Sequence, residues 1–271
     1  MKKLLIVGFG DIARRALPRL ERRFAISRIS RRAGRDLDRP ATLQIGAADA
    51  LLHLAPPPAQ GERDPRTANL LAALEKGRIL PARVVYVSTS GVYGDCGGAR
   101  IDEARELDPR TARARRRVDA ERQLDEWCSS KRISLIILRA PGIYAADRLP
   151  LERLRAGTPV LRAEDDVYTS HVHADDLAET AARALEEDAP AGVYNAADDT
   201  EMRMGDWLDL VADARSLPRP PRLARAQFKD ISDFMQESRR LDNRRLKEVL
   251  GMRLRYPTVL EGLAHETAGA D

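Results

Sequence analysis

Residues 1–13 read MKKLLIVGFGDIA. Leu4-Leu5-Ile6-Val7 is a short apolar run with a β-branched end, and Gly8-Phe9-Gly10-Asp11-Ile12-Ala13 follows at once. Arg14 to Leu20 then has helical spacing. Strand, glycine turn and helix in this order predict the opening of a dinucleotide-binding βαβ unit. Gly8 allows a sharp turn off the strand. Gly10 lets the backbone approach a pyrophosphate, and Ala13 is small enough for the helix to pack closely on the strand. Asp11 and Ile12 stand at the start of that helix, whose free N–H groups and positive dipole end favour phosphate.

Working outward, Phe24 to Ser30 reads as a second strand. In a dinucleotide fold the end of this strand meets the adenosine ribose, where an Asp or Glu selects NAD. This chain has Ser30-Arg31-Arg32, then Arg35. Arginine clamps a 2′-phosphate bidentately, which argues for NADP over NAD. Asp36-Leu37-Asp38 is expected to end a short third strand, with a helical crossover over Ala41–Ile45. Ala50 to Ala55 is a buried strand cut off by Pro56-Pro57-Pro58, which places Leu54, Ala55 and Pro56 at the sheet's carboxyl edge. His53 is read as a packed strand residue.

Thr67–Lys76 is a predicted helix stopped by Gly77, and Arg83–Val87 a strand running into Ser88-Thr89-Ser90-Gly91-Val92-Tyr93-Gly94. Hydroxyls at such a strand end lie beside the nicotinamide of a bound dinucleotide. A long helix from Pro109 to about Ser130 carries five arginines within 110–117, and Ile133–Leu138 is the next strand. Beyond it come a helix near 150–155, a helix opening at Val172 with Asp175 or Asp176 as N-cap, a strand Gly192–Ala196, a helix Met204–Ala214, a proline linker at 218–221 and a helical tail.

Composition narrows the classes. The 271 residues hold 46 Lys+Arg against 42 Asp+Glu, a net charge of +4 with the basic excess spread along the chain. No basic stripe is interleaved with aromatics, so no nucleic-acid partner is expected. Cys96 and Cys128 make neither a disulfide framework nor a metal motif, and no metal is expected. Lys2-Lys3 before an apolar run is too short for a leader, and no stretch reaches membrane-span length. A cytoplasmic location and a small-molecule partner are the expectation.

Taken together, GFGDIA, APPP, VVYVSTSGVYGD, LRAPGIY, HVHADDLA, GVYNAADD and LKEVLGMRLRYPTVLEGL resemble, in order and over nearly the whole chain, the extended short-chain dehydrogenase/reductases, the group that includes NAD-dependent epimerase/dehydratases. Its small atypical members are the nearest likeness. The resemblance implies an α/β fold: a Rossmann-type doubly wound parallel sheet of about seven strands with a small C-terminal substrate lobe. It implies a nucleotide domain over 1–145 and a mainly substrate-binding lobe over 146–271, with segments near 170–196 returning to the sheet. Specificity would lie in this C-terminal lobe, whose stretches 150–168 and 219–237 point to a polar or anionic ligand. It also implies a nicotinamide dinucleotide in the cleft, and homodimerisation through two helices, one of them 109–130.

The family's chemistry uses a Ser or Thr with a YxxxK pair. The hydroxyl residue carries over to Thr89, with Ser88 and Ser90 beside it. The pair does not: aligned on Glu121, the tyrosine position is Arg113 and the lysine position Arg117. Arginine stays protonated and cannot shuttle a proton. Arg113 and Arg117, one turn apart, can instead hold ribose, phosphate or an anionic substrate. Other proton donors open to this sequence are Tyr93, His171, His173, or Thr89 through water. So many cations in early helical turns oppose the dipole, and Glu106, Asp108 or a ligand is expected to compensate. Two readings follow: an NADP-dependent oxidoreductase or epimerase with a rearranged acid–base set, or an NADP-binding sensor or interaction protein without turnover.

Overall fold

The computed structural model describes residues 1–228 and 235–268. The chain opens with β1 (Lys2–Val7), α1 (Asp11–Leu20), β2 (Phe24–Ile29), β3 (Ala50–His53), α2 (Pro65–Lys76) and β4 (Arg83–Thr89). It continues through β5 (Arg100–Ile101), α3 (Ala112–Lys131), β6 (Ser134–Ala140), β7 (Gly142–Tyr144), α4 (Leu151–Arg155), β8 (Val160–Leu161), β9 (Tyr168–Thr169) and β10 (His171–His173). It closes with α5 (Ala174–Ala184), β11 (Gly192–Asn195), β12 (Met202–Arg203), α6 (Met204–Ala214), β13 (Arg222–Leu223), β14 (Arg240–Leu241), α7 (Arg244–Glu248) and α8 (Val259–Ala268).

Six strands form one sheet in the order β11-β6-β4-β3-β1-β2, and every pairing in it is parallel. The main sheet thus has six strands where the resemblance implies about seven, and β7 and β10 form a separate parallel pair. This is a Rossmann-type α/β fold. The chain leaves β1 for β2 on one side and reaches β3 on the other, so the order reverses at β1 and a crevice opens beyond its carboxyl end.

The apolar run of β1 is buried on both faces. Leu4 and Ile6 join the layer of Ala13, Ala16 and Leu20 from α1 and Leu177, Ala178 and Ala181 from α5. Leu5 and Val7 join the opposite layer with Leu70, Leu71 and Leu74 of α2 and Leu124 and Trp127 of α3. Period-two alternation splits the strand between two helix layers. Tyr144, Leu154, Trp207, Leu208, Val211 and Val259 build a separate small core beside the sheet.

Three local expectations are corrected. Residues 36–38 form no strand: the Asp36 carboxylate accepts the N–H of Asp38 at 3.0 Å in a side-chain-closed turn, and only Leu37 is buried there. The 41–45 crossover helix is only a single 3-10 turn at Pro40–Thr42. The N-cap of α5 is His173, not Asp175 or Asp176, because His171–His173 is held as a strand against Gly142–Tyr144. Its imidazole Nδ1 accepts the Asp175 N–H at 3.1 Å. Asp176 instead accepts the N–H groups of Arg255 and Tyr256 at 2.7 and 2.9 Å, which ties the tail to α5. No helix among the described residues is long and apolar enough to cross a membrane.

Candidate cofactor and substrate site

The carboxyl ends of β1 to β4 and β6 surround an elongated cavity of about 1060 Å³. Gly8, Gly10, Asp11, Ile12, Ser30, Arg31, Arg32, Leu54, Ala55, Pro56, Ser88, Thr89, Arg113 and Arg117 all line it, so the residues singled out from sequence are brought together. The two glycines differ in kind. Gly8 has φ +87°, and a Cβ there would lie 2.4 Å from Ala55 N and 2.6 Å from Ala55 Cα. Its own N–H donates to Ile29 O at 3.0 Å, while Leu54 and Ala55 N–H groups donate to Val7 O at 2.7 and 2.9 Å. Close approach of β1 to the end of β3 therefore requires Gly8. A Cβ on Gly10 would meet nothing within 4 Å. Gly10 N-caps α1 without a side-chain hydrogen bond, leaving the first-turn N–H groups without a side-chain acceptor.

At one end of the cavity, Ser30 leads into a 3-10 turn over Arg31–Ala33. Arg31 and Arg32 are exposed, and neither makes an ion pair among the described residues. Arg28 lies 4.4 Å over the Phe9 ring. Asp36 also lines this end, a carboxylate that the sequence reading did not place there. Asp38, nearby, is occupied by Arg66 at 2.6 and 2.8 Å.

At the other end, Thr89 Oγ1 accepts the Gly91 N–H at 3.3 Å. Ser88 Oγ is buried with no hydrogen-bond partner among the described residues. Arg117 Nη1 donates to Tyr86 Oη at 2.9 Å and to Val87 O at 3.0 Å. Beneath it runs a buried chain: His53 packs 5.0 Å from Tyr86, His53 Nε2 meets Thr67 Oγ1 at 3.0 Å, and Thr67 donates to Asp64 at 2.7 Å. Burial pushes Tyr86 up to about 12. Burial first, and the Arg117 charge second, push His53 down to about 3. Arg113 is exposed and makes no hydrogen bond or ion pair among the described residues.

The crowded arginines at the start of α3 are compensated only in part as expected, through Asp108. Arg115 pairs with Glu62 at 2.9 Å, Arg116 donates to Gly61 O at 2.5 Å, and Asp108 takes Arg110 at 2.9 Å. Glu106 makes no ion pair among the described residues. The compensating groups come mostly from the loop before α2, too far along the chain for spacing to reveal.

A second cavity of about 590 Å³ shares Thr89, Arg113, Pro141, Ile143 and Arg148 with the first. Tyr168, His171, Trp207, Glu237 and Arg239 line its far side. Of the 219–237 stretch expected to set specificity, residues 229–234 lie outside the described residues. Glu237, paired with Arg239 at 2.7 Å, is the one acidic side chain on this lining among the described residues. Glu237 closes the 219–237 stretch singled out from sequence, whereas Arg148 and Arg239 were missed as site residues.

Two of the proton donors considered from sequence are built into the frame. Tyr93 is fully buried, donates to Asn195 Oδ1 at 2.8 Å and accepts from Arg139 Nη1 at 3.0 Å. Burial pushes it up to about 12. Arg139 is itself held by buried Glu121 at 2.8 Å. His173 is the buried cap of α5. His171 lines the second cavity, but burial pushes it down to about 3.

The family model for the NAD dependent epimerase/dehydratase family matches residues 65–197. A functionally unknown conserved protein from Silicibacter pomeroyi DSS is 30% identical over 100% of this chain and 99% of that one, with a TM-score of 0.80. The structure of MoeE5 in complex with UDP-glucose and NAD is 21% identical, covering 98% and 97%, with a TM-score of 0.76. That of RMD from Pseudomonas aeruginosa complexed with NADPH is 20% identical, covering 98% and 99%, with a TM-score of 0.74. No curated protein sequence matches the chain. The chain belongs to the NAD-dependent epimerase/dehydratase family.

Proposed function

We propose that the chain is an oxidoreductase or epimerase of this family that prefers NADP(H) and acts on a small polar or anionic substrate. The observation that carries the cofactor preference is the pair Arg31 and Arg32, exposed on the cavity and without ion-pair partners among the described residues. A dinucleotide fits the cavity on two further grounds: the open space over Gly10 and the first turn of α1 without side-chain acceptors. The backbone at Gly8 and Gly10 and the N–H groups of Asp11 and Ile12 would carry the diphosphate. Ser30, Arg31 and Arg32 would hold the phosphorylated ribose, and Leu54, Ala55 and Pro56 would form the wall along it. Ser88 and Thr89 would face the nicotinamide end. A bound nicotinamide dinucleotide supplies hydride exchange there.

The chain's own part is positioning. Arg117 commits only Nη1 to Tyr86 and Val87, which leaves its remaining N–H groups for ribose or phosphate. Arg113, at the junction of the two cavities, would bind a substrate anion or a developing oxyanion. Neither arginine moves a proton, so proton transfer would fall to Thr89 through water or to the substrate itself.

A second reading is favoured by that same substitution. With arginine at both pair positions and Tyr86 and Tyr93 buried, the chain would bind NADP(H) without turnover, as a sensor or interaction protein. Calorimetric titration with NADPH and NADH, repeated on Arg31→Ala, tests the cofactor. Tight NADPH binding that the variant loses supports both readings; binding of neither nucleotide removes both. NADPH oxidation with a panel of aldehydes, ketones and 2-oxo acids then separates them: turnover selects the enzyme, and bound but unconsumed NADPH selects the sensor.

A further inference from the structure

Arg148 sits on the edge shared by the two cavities, at the end of a 3-10 turn (Ala146–Arg148) that follows β7. Its ion-pair partner is 137 residues away in the chain: Nη1 donates to Asp11 Oδ2 at 3.1 Å. Asp11 is the first residue of α1, so its carboxylate occupies a place where the helix end favours an anion. The other Asp11 oxygen takes Arg15 Nε at 3.0 Å. Arg15 also reaches Asp147 and Asp175, each at 2.7 Å, and against the cost of partial burial Asp175 and Asp11 hold its guanidinium above its usual range. Arg15 is therefore filled by three acids. Arg148 has one, and its Nη2 and Nε make no hydrogen bond among the described residues. Its side chain is 35% exposed, which leaves the free edge of the fork open to a ligand.

We propose that Arg148 is a ligand to the diphosphate of the bound dinucleotide, on its nicotinamide side, and that Asp11 holds it ready when no nucleotide is present. The inference rests on the nucleotide reading above. Two features give it direction. The lining Arg148 shares with Thr89, Arg113 and Ile143 puts it on the Thr89 side rather than at the Arg31 end. A guanidinium with two free N–H edges binds two phosphate oxygens in parallel. Asp11 then acts as a counter-ion that a diphosphate displaces, because two anionic groups compete for one cation.

The test is calorimetric titration of the full chain with NADPH, NADH and adenosine 2′,5′-bisphosphate, which lacks the nicotinamide-side phosphate. Four proteins are compared: the natural chain, Arg148→Ala, Asp11→Asn and the double variant. Arg148→Ala is expected to weaken NADPH and NADH alike by about tenfold and to leave the bisphosphate unchanged. The loss is expected to persist in the Asp11→Asn background. If it vanishes there, Arg148 merely neutralises Asp11 and the proposal is overturned. An equal loss for the bisphosphate, or no loss for either dinucleotide, overturns it too. Arg148→Gln, similar in length and uncharged, repeats the measurement if the alanine variant misfolds. If the natural chain binds neither dinucleotide, the nucleotide reading itself fails, and that result is distinct from every variant outcome.

Discussion

The cavity is bordered by two groups of arginines in opposite states. At the end of β2, Arg31 and Arg32 are exposed and make no ion pair among the described residues. On α3, Arg115, Arg116 and Arg117 are bound to Glu62, Gly61 O, Tyr86 and Val87 O. Residue type is the same, and the surrounding chemistry decides the role. A cation already satisfied by the fold contributes to stability, whereas one left unsatisfied on a cavity wall is available to a ligand. On α3 Arg113 is the exception and stands where both cavities meet, while Arg117 is committed only through Nη1 and keeps its other N–H groups on the cavity.

The same division runs through the two glycines, and it gives the largest expected effect. Gly8→Ala forces a side chain into a left-handed backbone and onto Ala55 at 2.4 Å. Strain and overpacking together should cost about 3 kcal/mol or more, read as a lower urea midpoint. Gly10→Ala meets nothing and should leave that midpoint in place while weakening NADPH and NADH binding. Equal destabilisation by both substitutions would break the distinction between fold-required and ligand-facing residues.

Acid pH probes the committed side. His53 and His171 are held neutral, each at about 3 against an unfolded value of 6.5. Between those values the unfolded chain binds more protons than the folded one, so stability is complete above about pH 6.5 and falls as pH drops towards 3. Each histidine contributes a slope of up to about 1.4 kcal/mol per pH unit. Urea midpoints from pH 7.5 to 5 should follow this, and His53→Leu should flatten the dependence. A profile that His53→Leu leaves unchanged would show that His53 is not held neutral.

Arg117→Ala isolates one member of the committed group. It removes the donor to Tyr86 Oη and Val87 O, and leaving a buried phenol without that partner should cost about 2 kcal/mol. Arg31→Ala should stay within about 0.5 kcal/mol, as exposed substitutions do. Equal losses would dissolve the contrast between the two groups.

Much of this was legible in the sequence because it is local. The β1 run, the glycine turn and Ser30-Arg31-Arg32 are each contiguous: the run forms the buried first strand, and the turn and the arginines line the cavity. Continuous apolar strands likewise disclosed the parallel sheet. What escaped depends on contacts between distant residues. Nothing near Arg148 points to Asp11, and nothing in the 110–117 run points to Glu62 or Gly61. The sequence puts His173 in the opening of a helix capped by Asp175 or Asp176, yet pairing with β7 holds it as a strand residue, so the helix starts later and the imidazole is the cap. Residues 36–38 alternated like a strand, but two aspartates and one leucine bury too little to hold one.

The smallest and most selective expected effect lies at the uncommitted end. Arg31→Ala should weaken NADPH by about tenfold, the worth of one charge-assisted contact to a phosphate, while NADH, which lacks the 2′-phosphate, should be unaffected. Arg32→Ala should act in the same direction, and the double variant should bring the two nucleotides close to parity. Salt provides an independent reading: the NADPH advantage should shrink as ionic strength rises, because exposed charges separated by more than about 8 Å are screened at physiological salt. If Arg31→Ala weakens both nucleotides equally, the β2 arginines shape the loop rather than read the phosphate. The distinction between satisfied and unsatisfied cations would then not extend from the α3 side to this end of the cavity.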